Sequence, residues 1–422
     1  VDSSVNKEEL RENKRYFGWI MLASILTDEW NIFLIPQTNL FVENIYRLSS
    51  LELGIITGIV ILGAAIGSFL GGIFTDFFGR KKVFQIDMGL FIFSAIFSIL
   101  SYDVFLLMIS RLIAGIVVGA DIANVYAYIM ETEEPGKREY IGSLGPLIAS
   151  FSILSINGIV LVLLLLKGSS LLIWDLSLLF SCIPATVSLA LSRGIKESIP
   201  WKSESNKNIS FKKMFQKIRS KDKLRDTSIY SYISGVATTI EVGTFAFFIP
   251  FIVSKTGIFN EIQVRLIVLS IYAIGIPAGF IGARLVSRLG FKRISCYGYL
   301  MTLIALFLSA IFLIYQFYYF VPVTMMIFVW GNHWNSQPII PTQAIVSNTE
   351  FRGKSIGITN FISEVPAFLS ISIFPSFVNY FGLGISTMVI CIAPIFGLMA
   401  SIFIYKEIYG HTSDINKLKI NN

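Results

Sequence analysis

Residues 71–82 read GGIFTDFFGRKK, and residues 282–293 read GARLVSRLGFKR, 211 positions later. In both, a long apolar run ends in a cluster of cations. An apolar run of about 20 residues is long enough to cross a bilayer, and a basic stop at its end marks the cytoplasmic side. Arg138 and Arg352, 214 positions apart, are a second pair of landmarks at nearly the same offset. Two landmarks with one spacing indicate an internal repeat.

The composition agrees. Of 422 residues, 54% are hydrophobic and 14% charged, with a mean hydropathy of +0.70; soluble domains carry about 25% charged residues. Twelve candidate spans follow: 16–43, 51–74, 83–101, 104–132, 139–167, 171–192, 226–254, 262–285, 294–315, 317–345, 354–381 and 383–405. Each is expected to be helical, because lipid offers the backbone no partners. Of the 34 Lys and Arg, 29 fall on one side of this pattern, Arg47, Lys167, Lys255 and Arg265 on the other, and Arg111 inside a span. Both termini and the central loop are therefore expected in the cytoplasm. The expectation is an all-α, multi-pass protein of the cell membrane: a six-helix bundle over 16–195, a basic linker over 196–225 and a second bundle over 226–406.

The net charge of +7 reads as topology and contact with anionic lipid, not nucleic-acid binding. Within the linker, FKKMFQKIRSKDK (211–223) has the pattern of a basic amphipathic helix at the membrane surface. Cys182, Cys296 and Cys391 lie in apolar runs and read as packing residues. No metal site, cofactor motif or hydrolytic constellation is expected, nor a cleavable signal. The protein is expected not to be an enzyme and to function as a monomer in the bilayer.

With this duplicated pattern of spans and basic loops, the chain resembles the major facilitator superfamily. Gly72, Asp76, Gly79, Arg80, Lys81 and Lys82 match its loop motif G-x-x-x-D-x-x-G-R-[RK]-[RK], between spans two and three. Arg111 opens span four as RLIAGIVVGAD, and Glu131 with Arg138 gives an E-x6-R at its end. KESIPW (196–201) is similar to the PESPRW of sugar porters. TDEWNIF (27–33) and GADIANVY (119–126) are similar to segments of the phosphate and metabolite symporters. Departures are clearest in the second half. Ser287, Phe291 and Ile345 replace motif residues, Glu364 stands where phosphate carriers have Lys, and the paired glutamines of span seven are missing. GSLGPLIAS (142–150) half resembles the antiporter motif. The resemblance implies alternating access, a cytoplasmic ionic latch made by Asp76, Arg80, Glu131 and Arg138, and a proton-responsive pair of Asp28 with Arg111.

The charges inside the spans sharpen this. In SILTDEWNIFL (24–34), Asp28 and Glu29 sit near mid-membrane. A bare charge there costs about 3 kcal/mol on insertion scales, so it must face a cavity, find a partner or bind a proton. Adjacent helical residues lie about 100° apart, so one acid lines a cavity and the other packs; Asp28 is the favoured functional one. Asp28, Arg111 and Asp121 are the expected proton-coupling group. Asp121, Asn124 and Tyr128 share a helix face. Asn31, Asn124, Tyr128, Glu241, Asn332, His333, Trp334, Asn335, Gln337, Asn360 and Glu364 are the expected substrate-binding residues. Gly63, Gly67 and Gly71 read as a packing stripe. Together they suggest proton-coupled symport of a small polar solute, a sugar or sugar-like metabolite. The alternatives are an organic-cation carrier with Glu364 or Glu241 as counter-ion, or a non-transporting membrane sensor on the same fold.

Overall fold

The computed structural model describes residues 2–198, 201, 202, 216, 222–347 and 349–409; the amphipathic segment expected over 211–223 lies mostly outside them. All regular structure among these residues is helical. Spans one to six are Asp2–Tyr46, Ser50–Phe78, Arg80–Ile99, Val104–Thr132, Lys137–Leu165 and Ser170–Leu191. Span seven is Arg225–Lys255. Glu261–Ile314 is broken at Gly290 into spans eight and nine. Val321–Ser336 and Ile339–Val346 form span ten. Arg352–Ile390 is broken at Gly382, giving span eleven and a span twelve that runs on to Ile404.

The repeat is visible in its turns. Gly79 and Gly290, 211 positions apart, both take positive φ (95° and 78°), a region open to glycine without a Cβ clash. Each turn is followed by a helix whose first amides meet a distant carboxylate. Glu197 accepts from the Arg80 N–H at 2.9 Å, and Glu407 accepts from the Lys292 N–H at 2.9 Å. A carboxylate at a helix N-terminus satisfies orphan donors and complements the dipole. Both halves thus fasten the start of their third helix with the glutamate of a Lys-Glu pair, 196–197 and 406–407.

Span two packs through glycines on two faces, one within its own half and one across to the other half. Gly63, Gly67 and Gly71 lie against Gly115, Ile116 and Ala120 of span four, as expected of the stripe. On the other side, Gly54 and Gly72 meet the backbone of span eleven at Ser372 and Gly353. Backbones approach this closely only where side chains are absent. A Cβ on Gly67 would sit 1.9 Å from the Ile116 carbonyl oxygen, whereas one on Gly89 of span three would meet nothing within 4 Å. Gly67→Ala should therefore destabilise by about 1–3 kcal/mol, while Gly89→Ala should be neutral or mildly stabilising. Melting temperatures in one detergent compare the two; equal effects would contradict this packing.

Candidate functional site

A cavity of about 200 Å³ lies between the halves. Span seven shapes one wall through the π-helical segment Val242–Ala246, a local widening common at functional sites. Pro250 has no N–H for the Ala246 carbonyl four residues back; the Tyr272 hydroxyl donates to that carbonyl instead, at 3.2 Å. Span ten is interrupted at Gln337 and Pro338, and Asn332, His333 and Gln337 from that region line the cavity. Glu29 enters from span one and Glu364 from span eleven. Phe33 and Phe247 meet edge to face across the halves, with ring centroids 5.0 Å apart. His333 Nε2 lies 2.7 Å from the Ser150 hydroxyl of span five. Three buried polar atoms on lining residues lack partners: Asn332 Nδ2, His333 Nδ1 and Gln337 Oε1. A larger groove of about 820 Å³ between spans seven, eleven and twelve is apolar and opens among exposed residues such as Leu369 and Phe396 on the outer surface.

The two acids of span one part company, one lining the cavity and one packing, as expected of adjacent helical positions. Glu29 is partly exposed and lines the cavity. Asp28 is 2% exposed and turns into the first half. There its carboxyl lies within hydrogen-bond reach of Asp121. Ser24 donates to Asp121 as well, and Asp87 of span three, which sequence reasoning passed over, lies within electrostatic reach. The Arg111 guanidinium donates to Asn31, to its main-chain oxygen at 2.8 Å and its side-chain oxygen at 3.4 Å, rather than to Asp28. Depth explains the change of partner. Arg111 and Asp121 are ten residues apart on span four, about 15 Å at 1.5 Å per residue, and Asp28 sits at the level of Asp121.

Several residues expected around the solute lie elsewhere. Asn124 donates to the Arg80 carbonyl at 2.9 Å and Tyr128 to the Lys196 carbonyl, both at the basic end. Glu241 accepts from Asn335 at 3.1 Å inside the second half. Trp334 donates to the Ala278 carbonyl at 3.0 Å. Asn360 is buried away from the cavity wall. The cavity instead adds Tyr126, the last residue of GADIANVY, and Thr239 and Ser336, which no distinctive motif announced.

Contacts between the halves close both ends. At the basic end, Glu131 receives Arg80 at 2.7 Å and Arg352 at 3.4 Å. Asp76 pairs with Arg80 at 3.2 Å and accepts from the Gly353 and Lys354 amides at the start of span eleven, at 3.3 and 3.1 Å. Arg138 pairs with Glu139 at 3.3 Å beside this cluster. At the opposite end, Arg265 of span eight donates to the Gln37 carbonyl at 2.6 Å and to Asn157 at 3.0 Å, under the Phe41 ring. Read in sequence as an outer loop charge, Arg265 is 1% exposed.

A model of the Major Facilitator Superfamily matches residues 16–371. The chain belongs to the Major Facilitator Superfamily. The arabinose-proton symporter of Bacillus subtilis (strain 168) is 29% identical over 184 residues, which is 42% of this chain and 39% of that protein. The D-xylose transporter of Levilactobacillus brevis is 31% identical over 150 residues, 35% of this chain and 32% of its own. The matched segment thus spans about two-fifths or less of these curated relatives. Among solved structures, the proton:xylose symporter XylE bound to 6-bromo-6-deoxy-D-glucose superposes with a TM-score of 0.80 at 18% identity, covering 96% of this chain and 99% of that one. The inward-open XylE of E. coli gives 0.70 at 18% identity. These likenesses establish the fold of a multi-pass membrane protein.

In this superfamily member the loop motif does more than end a span. Its Asp76 caps a helix of the other half, and its Arg80 shares Glu131 with Arg352. Both Arg80 and Glu131 side chains are fully buried. Removing one partner of a buried ion pair strands the rest and costs about 3–5 kcal/mol. Glu131→Ala should lower thermal stability by an amount of that order and Arg80→Ala similarly, with the double variant less than additive. Simple additivity in thermal unfolding would show that the cluster is not coupled.

Proposed function

We propose that this protein is a proton-coupled secondary transporter that carries a small polar solute, a sugar or sugar-like metabolite, by alternating access, with the proton as coupling ion. The observation that carries this reading is the small cavity between two six-helix halves, where Glu29, Asn332, His333, Gln337 and Glu364 stand among apolar side chains, with inter-half contacts at both ends. A central site between two halves that touch at both ends is the geometry of an alternating-access carrier. The bundles over 16–195 and 226–406 rock against each other, tethered by 196–225. Asp76, Arg80, Glu131 and Arg138, with Arg352, act as the cytoplasmic gate; Arg265, Gln37 and Asn157 act at the outer end.

The cavity volume supports a small cargo, since drug-sized sites run to about 300–1,000 Å³. Glu29, Asn332, His333, Gln337 and Glu364 contact the solute. The arabinose-proton symporter and D-xylose transporter among the relatives support a sugar-like one. Coupling rests on Asp28 and Asp121. Two carboxyls in contact, remote from bulk water, repel unless they share a proton, and both Asp28 oxygens lack a protein donor. Movement of span one against span four separates the pair or exposes it to one side, so that the proton is taken up or released. Arg111 ties span one to span four through Asn31, less than a turn from Asp28, so the same movement shifts that bond.

Reconstituted protein should accumulate a labelled pentose or hexose when a pH gradient is imposed. Asp28→Asn should abolish accumulation yet retain counterflow exchange. Gradient-driven accumulation that survives in Asp28→Asn would remove the coupling assignment, and binding without any flux in the wild type would favour a sensor.

A further inference from the structure

Two carboxylates in the central cavity have no counter-charge among the described residues. Glu29 and Glu364 come from opposite halves, line the same chamber and lie within electrostatic reach of each other. Both are partly exposed although deep in the bundle, because their free surface faces the cavity. No hydrogen bond or ion pair reaches either one among the described residues. The cavity wall holds no Lys or Arg among those residues, and Arg111, Arg80 and Arg352 are engaged elsewhere. An ionised carboxylate in a low-dielectric chamber is costly until a cation or proton joins it.

The orphan atoms around this pair point to the rest of the ligand. Gln337 Oε1 is an unpartnered acceptor, 1% exposed, and Asn332 Nδ2 and His333 Nδ1 are unpartnered on residues 8% and 5% exposed. All three residues line the cavity. Amide and imidazole groups of this kind match hydroxyl groups, which donate and accept at once. The Phe33 and Phe247 rings supply an aromatic surface on the same cavity, which favours a bound cation further.

Resting on the transport reading above, we infer that the cargo is a hydroxylated amine: a small polyol or sugar carrying one ammonium group, bracketed by Glu29 of one half and Glu364 of the other. An ammonium has three N–H donors, enough to bond both carboxylates together. Because the carboxylates belong to different halves, the ammonium also draws the halves together over the occupied cavity, which ties closure to the presence of cargo. Glu241, the other sequence candidate for a counter-ion, lies off the cavity wall, with one carboxylate oxygen bonded by Asn335, and takes no part.

The test is binding to the purified full chain in nanodiscs, by calorimetry and thermal shift, with matched probes: D-glucosamine against D-glucose, and N-methyl-D-glucamine against D-sorbitol. The amines should bind at least about tenfold tighter than their neutral counterparts. Glu364→Gln should weaken amine binding on the order of 30-fold, the cost of stripping one partner from a buried charge pair, and so collapse the amine-to-neutral ratio. Glu29→Gln should do the same, and the wild-type comparison decides the matter even if one variant fails to fold. Equal or tighter binding of the neutral probes, or no binding of either amine, overturns the inference. Flux assays report separately on the reading beneath it. Amine binding without accumulation would sink the transport assignment and leave the ligand class standing, whereas gradient-driven uptake of glucose but not glucosamine would do the reverse.

Discussion

The carboxylate of Asp76, from span two, accepts from the first amides of span eleven, in the other half. A helix N-terminus carries orphan N–H groups and the positive end of the helix dipole, so this acid is a cap supplied in trans. Beside it Glu131 is shared between Arg80 of its own half and Arg352 of the other. Arg80 is paired with Asp76 and Glu131 inside its own half, but Arg352 and the first amides of span eleven find their carboxylates only across the seam, so parting the halves puts water in place of those protein partners. The cavity lies between this seam at one end and the Arg265 cluster at the other. The glycine faces of span two let the backbones come close enough for both.

Within that frame the buried acids fall into two sets with different surroundings. Glu29 and Glu364 face open volume between the halves, where something from outside the protein can reach them. Asp28, Asp121 and Asp87 sit inside the first half, packed by Ser24 and neighbouring helices, with no room for a solute. Burial in solid protein suits a proton, which needs no space, and burial against a cavity suits a cargo. Adjacent positions on span one therefore serve different ligands, because the helix turns by about 100° between them.

Much of the architecture was legible from residues alone. The positions of the spans came from apolar runs, and the duplication from the basic stops of 71–82 and 282–293 and from Arg138 with Arg352. Gly79 and Gly290 then proved to be the same positive-φ turn. The matched roles of Glu197 and Glu407 were not legible, because a Lys-Glu dipeptide in a polar segment looks like ordinary surface charge. Arg265 misled for a related reason: near the end of an apolar run, a cation that reaches inward to Gln37 and Asn157 cannot be told from one that reaches outward. Asn124 and Tyr128 share a helix face with Asp121, but that face runs toward the basic end, where Arg80 and Lys196 claim them.

By itself the sequence determined how many times the chain crosses, which loops lie together on the basic side, that the two halves correspond, and which residues build the seam between spans two and four. These follow from hydropathy, charge and turn chemistry, each a property of residues in order along one chain. Only the tertiary structure decided that Glu29 and not Asp28 meets the cavity, that Arg111 holds Asn31, and that Glu241 is spent on Asn335. Those outcomes depend on the rotation and depth of each helix against its neighbours. Packing across the whole bundle sets both, and a linear pattern carries no record of them.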